Sequence, residues 1–285
     1  TKLKPEEILP IIGDYEAMIV RSQTRVTADI IEAGKKLQVI GRAGVGVDNI
    51  DIDAATRHGI IVVNAPTGNT ISTAEHTIAL MLALARNIPQ ANTSLKSCIW
   101  RRGDFMGTEV KGKTLSIIGL GNVGSEVARR AHGLEMKLIG HDPFISTERA
   151  HNLQVALVES TKSLIGVKEL AMVKPTVLII NTARGGLIDE EALVKAINEN
   201  RVAGAAIDVF TNEPCTKSIL FESDKIIVTP HLGASTTEAQ TLAATDVAKQ
   251  VIDVLNGQPA RYAVNAPLIS AEALPVLAPF LKVSH

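Results

Sequence analysis

Cysteine is nearly missing from this sequence: Cys98 and Cys215 are the only two in 285 residues, far apart and outside any C-x-x-C or Cys/His spacing. That excludes a disulfide scaffold and a zinc module, so no metal site is expected and the expected setting is a reducing cytoplasm. An excess of one charge is missing too, since 29 Lys+Arg nearly balance 30 Asp+Glu for a formal charge of -1. A dedicated nucleic-acid binder would carry a basic surplus. The longest strongly apolar run, residues 78–85, falls far short of the roughly 20 residues that cross a bilayer, so no membrane partner is expected. The first residues do not read as a signal peptide, and there is no internal repeat or low-complexity tract. What is present is a globular composition, 46% hydrophobic and 21% charged, at a length that suggests about two domains.

Short apolar runs alternate with helical patterns along the first third. Residues 17–20, 37–40 and 60–63 read as strands, the first and last buried on both faces as in a parallel sheet, with crossover helices at 27–33 and 53–57. The breaker cluster at 64–69 marks a domain boundary. A long helix over 72–86 follows, its second half apolar on nearly every face, which predicts burial between two domains. After a turn-rich stretch at 98–113, strands are expected at 114–118, 137–140, 177–180, 204–207 and 226–228. Alternation with helices predicts a parallel, doubly wound sheet. The interval 142–176 is thinner, with one weak strand pattern at 153–158 and one helix at 167–174. From Gly257 onward the chain is expected to return to the first domain.

Gly119-Leu120-Gly121-Asn122-Val123-Gly124 directly follows the expected strand 114–118 and opens a helical pattern at 125–132. Gly119 permits a tight turn, Gly121 lets the backbone approach a pyrophosphate, and Gly124 lets helix and strand pack closely. The helix N-terminus offers amides and a positive dipole end to phosphates. Asp142 stands 18 residues beyond Gly124, at the end of the next strand. There a carboxylate accepts from an adenosine ribose and repels a 2′-phosphate, so NAD is the expected cofactor rather than NADP.

Three more strand ends carry reactive side chains. Asn181-Thr182-Ala183-Arg184-Gly185-Gly186 follows 177–180, Asp208 to Pro214 follows 204–207, and Thr229-Pro230-His231-Leu232-Gly233 follows 226–228. Ligands of an open parallel sheet bind outside the carboxyl ends of its strands. Arg184 there can grip a carboxylate and polarise a carbonyl, and Glu213 with His231 forms a general acid/base unit. Thr182, Ala183, Asp208 and Gly233 are assigned to the cofactor. His58, His76, His132, His141 and His151 read as structural.

Together with Gly41-Arg42-Ala43-Gly44-Val45-Gly46-Val47-Asp48-Asn49 and His231-Leu232-Gly233-Ala234-Ser235-Thr236, these motifs resemble the D-isomer-specific 2-hydroxyacid dehydrogenase family. The resemblance implies a Rossmann cofactor domain over 69–256 and a smaller flavodoxin-like α/β substrate domain made of 1–68 and 257–285. It implies catalytic roles for Arg184, Glu213 and His231, and a substrate-carboxylate loop at Gly44, Val45 and Gly46. Arg21 and Arg42 become substrate-side residues, matched to a small phosphorylated 2-hydroxy acid. The Trp100 region becomes a subunit contact of a homodimer or homotetramer, with Arg101 or Arg102 reaching the partner. The alternatives are a glyoxylate or hydroxypyruvate reductase, and an NAD(H)-sensing scaffold or corepressor on the same fold.

The chain departs from the family pattern in three places. A strand, a helix and a second strand are expected ahead of Pro5, and longer members continue past Phe280 into regulatory domains. In mid-chain, residues 155–160 resemble the third strand while 161–166 resemble the segment after the fourth. One βα unit, about 20 to 25 residues, is missing at the Ser160/Thr161 junction.

Overall fold

The computed structural model describes residues 3–146, 150, 152–153, 156–157 and 165–266. They divide into two units, Thr1–Asn69 with Thr236–His285, and Thr70–Ser235. In the first unit a short helix α1 (Pro5–Ile8) precedes β1 (Ala17–Val20), α2 (Ala28–Ala33), β2 (Val39–Arg42), α3 (Ile52–Arg57) and β3 (Ile61–Asn64). The strands pair in parallel in the order β1-β2-β3, with Ala17 opposite Val39 and Val39 opposite Ile61. Alternation along β2 and β3 sends successive side chains to opposite faces. Ile40 and Val62 join Ile30 and Ile31 of α2 and Ala54 and Ala55 of α3 in one core, whereas Val39 and Val63 pack with Val247 and Val251 from a later helix. A Cβ on Gly41 would press into those same two valines, so this β2 position needs glycine for close approach. Among the described residues β1 pairs on one side only, and its Ile19 is half exposed rather than buried on both faces as the sequence suggested.

The second unit begins with α4 (Thr70–Ala85) and α5 (Ile88–Lys96). Then come β4 (Thr114–Ile118), α6 (Asn122–Gly133), β5 (Lys137–His141), β6 (Ala156–Leu157), α7 (Val167–Leu170), β7 (Leu178–Asn181), α8 (Glu190–Asn198), β8 (Gly204–Ile207) and β9 (Ile226–Val228). The strands form two parallel sheets, β4-β5-β6 and β7-β8-β9. The apolar side chains of α4 pack against residues of this same unit. Ala74 and Met81 pack with Ile117 and with Val127, Ala128 and Ala131 of α6, while Leu80 and Leu84 pack on Ala206 and Ile227. On the opposite face of β8, Ala205 and Ile207 meet Leu193 and Ile197 of α8. Parallel strands with helices on both faces make this unit a doubly wound α/β fold of Rossmann type, and the first unit is a smaller α/β fold.

After β9 the chain enters α9 (Thr237–Leu255), capped by the Thr236 hydroxyl accepting from the Ala239 amide at 3.1 Å. The sequence reading gave this helix to the cofactor domain. Its Val247, Val251 and Val254 instead belong to the core over β2 and β3, which groups it with the first unit. Beyond it, Ala263 bridges Val63 and the Asn265 side chain accepts from the Val62 amide, fastening the chain to the free edge of β3. The Ser160/Thr161 junction lies outside the described residues, as does most of the interval around it. Among the described residues no helix is long and apolar enough to cross a membrane.

Candidate functional site

The glycine loop follows β4, and Gly119 takes a φ of 90°, a left-handed value that its lack of a Cβ permits. Gly121 caps α6, so the helix starts three residues earlier than its apolar periodicity indicates. The amides of Asn122, Val123 and Gly124 therefore lie in the first turn, where the carbonyls four residues back stand outside the helix and leave them without intrahelical acceptors. A Cβ on Gly124 would overlap the Gly119 carbonyl oxygen, which is the close strand–helix packing the motif requires, while a Cβ on Gly121 would meet no protein atom within 4 Å. The Ser125 hydroxyl donates to the Leu120 carbonyl at 2.9 Å, and Asp142 accepts from the Leu120 amide at 2.8 Å and the Phe144 amide at 2.9 Å. Asp142 thus borders the loop that the sequence paired it with. Farther along α6, hydrogen bonds from Arg129 and then Arg130 hold the Glu126 carboxyl below its ordinary range.

The ends of β7, β8 and β9 carry a second set. Beyond β7 the buried Asn181 side chain accepts from the Ala183 amide at 3.1 Å and donates to the Arg184 carbonyl at 2.9 Å, folding the turn that presents Arg184 at the surface. Thr182 meets Thr77 of α4, hydroxyl to hydroxyl, at 2.7 Å. A Cβ on Gly185 would overlap the carbonyl oxygen of Phe210, so the Arg184 turn lies directly against the backbone that leads to Glu213. Glu213 accepts from the Phe210 amide at 3.0 Å through one oxygen and faces Nδ1 of His231 at 2.7 Å through the other. A carboxylate only accepts, so Nδ1 carries the proton and donates, and Nε2 presents the lone pair of a neutral ring. The His231 side chain is 46% exposed and that of Glu213 36%. Such a pair can accept and return one proton at Nε2 without leaving its seat.

Asp208 and Gly233 were assigned to the cofactor, and the structure gives both of them protein partners. Asp208 is 0% exposed and accepts from the Thr229 hydroxyl at 2.6 Å, the Leu232 amide at 2.7 Å and the Gly233 amide at 3.0 Å. The Gly233 carbonyl accepts from the Ser72 and Thr73 hydroxyls of α4 at 2.9 and 3.2 Å. Ser72 and Thr73 were not singled out from the sequence, where they sit among the other polar residues of the first half of α4.

The remaining residues form a separate set in the first unit. Arg42 ends β2 and donates to the Asn49 side chain at 3.1 Å and the Ala43 carbonyl at 2.7 Å. Asn49 in turn donates to the carbonyls of Arg21 and Thr24 at 3.1 and 2.6 Å, tying together the turns after β1 and β2. A Cβ on Gly44 would overlap the Arg42 guanidinium, and the Val45 carbonyl accepts from Asn64 at 2.7 Å. Gly44, Val45 and Gly46 are half-buried and Arg21 is exposed. Asn49 is the organiser that sequence reasoning missed, although its motif was in view.

The chain is 51% identical over 304 aligned residues to a D-3-phosphoglycerate dehydrogenase of Synechocystis, covering 100% of this chain and 55% of that protein. It is 47% identical to one from Archaeoglobus fulgidus, covering 100% and 58%. The chain thus spans a little over half the length of these curated relatives. The first alignment has 304 positions for a chain of 285, which leaves at least 19 without a residue here. The solved structure of a glyoxylate reductase from Paecilomyes thermophila superposes with a TM-score of 0.81 at 30% identity, covering 92% of this chain and 89% of that one. The family model for the catalytic domain of D-isomer specific 2-hydroxyacid dehydrogenases matches residues 1–265, and this chain belongs to that family.

Proposed function

We propose that this chain carries the NAD-dependent oxidation of 3-phospho-D-glycerate to 3-phosphohydroxypyruvate, the entry step of serine biosynthesis. The observation that carries the reading is the 2.7 Å contact between Glu213 and His231 Nδ1, which holds the ring with Nε2 as its proton-accepting atom. The names of the Synechocystis and Archaeoglobus relatives support the substrate. The glycine loop fits a dinucleotide, since the space beside Gly121 is clear and the first-turn amides of α6 suit a pyrophosphate. Asp142 would take the ribose. Bound NAD supplies the acceptor for the hydride that leaves C2.

His231 Nε2 takes the proton of the C2 hydroxyl as the C2–O bond becomes a carbonyl, and returns it in the reverse direction. Glu213 keeps the ring oriented through Nδ1–H and carries the countercharge when the ring becomes imidazolium. Arg184 orients the substrate carboxylate and the developing carbonyl. Arg21 and Arg42, with the loop Gly44-Val45-Gly46, are the substrate-anion residues of this reading.

The same reading makes the protein a homodimer or homotetramer in the cytoplasm. Ile88, Leu95, Trp100 and Met106 support a subunit contact, being large apolar side chains exposed along α5 and the segment after it, with Trp100 at 80% and Met106 at 84%. Reduction of glyoxylate on the same residues is the second reading, favoured by the likeness to the Paecilomyes reductase. The deciding experiment is steady-state assay of D-2-hydroxy acids, with and without a 3-phosphate, alongside His231→Ala. Turnover of the variant is expected to fall by about 10²- to 10⁴-fold with NADH binding preserved. Near-normal turnover in the variant would overturn the role of His231.

A further inference from the structure

We propose that His76, on α4, is a positioning residue that fixes the His231 turn through the buried carboxylate of Asp208. The inference rests on His231 being the acid/base, and goes beyond it by naming what keeps that residue in place. His231 has a φ of 54°, in the left-handed region, which a non-glycine residue adopts only where its surroundings hold it there. The holding contacts converge on Asp208. Its carbonyl accepts from the His231 amide at 2.8 Å, and its side chain accepts from the Leu232 and Gly233 amides that follow. A carboxylate buried to 0% exposure keeps its charge only if donors surround it.

His76 Nε2 lies 3.2 Å from Asp208 Oδ1 and 3.3 Å from Thr229 Oγ1. The Thr229 proton is committed to Asp208, so the Thr229 oxygen is an acceptor toward His76. Both neighbours accept, and Nε2 therefore carries a hydrogen in the neutral and the charged ring alike. Ser72 and Thr73 stand one helical turn before His76 on the same face of α4 and hold the Gly233 carbonyl. One helix face thus grips both ends of the turn: the carboxylate beneath its amides and the carbonyl at its exit. Without the ring, Asp208 loses a donor and Thr229 loses its orientation. The His231 ring then strays from Glu213.

The test compares His76→Leu, His76→Gln and His76→Asn. Gln can place its amide nitrogen near the position of Nε2, whereas Asn is too short. Leu and Asn are expected to lower kcat by about 10- to 100-fold, the scale of an ångström of misplacement, with NADH affinity and KM within about twofold. Gln is expected to recover most of the loss. In parallel, hydrogen exchange at the Leu232 and Gly233 amides should quicken in Leu and Asn but not in Gln. The exchange measurement needs no turnover, so it decides the positioning role even where the substrate reading fails. Unchanged kcat and exchange in His76→Asn, or a Gln variant as impaired as Asn, would overturn the proposal. The Gln–Asn pair still decides if the Leu variant does not fold.

Discussion

Arg21 follows β1 and Arg42 ends the neighbouring β2, yet Asn49 uses them differently. It takes a hydrogen bond from the Arg42 side chain but gives one to the Arg21 main chain, which leaves the Arg21 guanidinium exposed beyond a braced turn. Arg21→Ala is therefore expected to raise KM for a phosphorylated substrate by about tenfold, the value of one charge-assisted hydrogen bond, and to change an unphosphorylated analogue much less. Equal effects on the two would remove the phosphate role. Gly185 is the opposite kind of residue, important for what it lacks. Gly185→Ala drives a methyl into the Phe210 carbonyl, at a cost of about 1–3 kcal/mol. Because the Phe210 amide donates to Glu213, kcat should fall along with Tm, by about 2–4 °C per kcal/mol. A drop in Tm with kcat intact would separate the Arg184 turn from the catalytic pair.

Among the elements, those with local causes were legible in the sequence. β4, β8 and β9 begin and end where their apolar runs do, and the glycine loop is recognisable because its chemistry lies within six consecutive residues. The Arg184, Glu213 and His231 turns could be found because each directly follows a strand. What was not legible depends on partners distant in sequence. The sequence shows that α4 is apolar but not what packs on it, which Ile117 on one side and Ile227 on the other reveal. His76 looked like a lone histidine because its partners, Asp208 and Thr229, come from loops more than a hundred residues later. α9 was placed by chain order in the wrong unit for a similar reason: its valines match Val39 and Val63, far behind it.

At the scale of the whole molecule, the described residues of the second unit form two parallel sheets of three strands, where a doubly wound dinucleotide fold has one sheet in the order 3-2-1-4-5-6. β4 and β7 take the places of strands 1 and 5, and among the described residues each pairs on one side only, with Ile118 of β4 60% exposed. The 19 or more positions that the Synechocystis relative has in excess match one βα unit in size. Inserting a helix–strand segment of about 20 residues between Ser160 and Thr161 is therefore expected to raise Tm and tighten NADH binding severalfold, read by calorimetry and fluorescence titration. No gain in either would mean the two sheets are complete as they stand.

The packing of α9 over β2 and β3 also bears on how the chain is made. Roughly 170 residues separate the end of β3 from the start of α9, and a ribosome adding about 5–20 residues per second needs on the order of 10–30 s to bridge them. Through that interval Val39 and Val63 have no α9 over them, so the β1–β3 sheet presents a bare apolar face to holdase chaperones until α9 emerges.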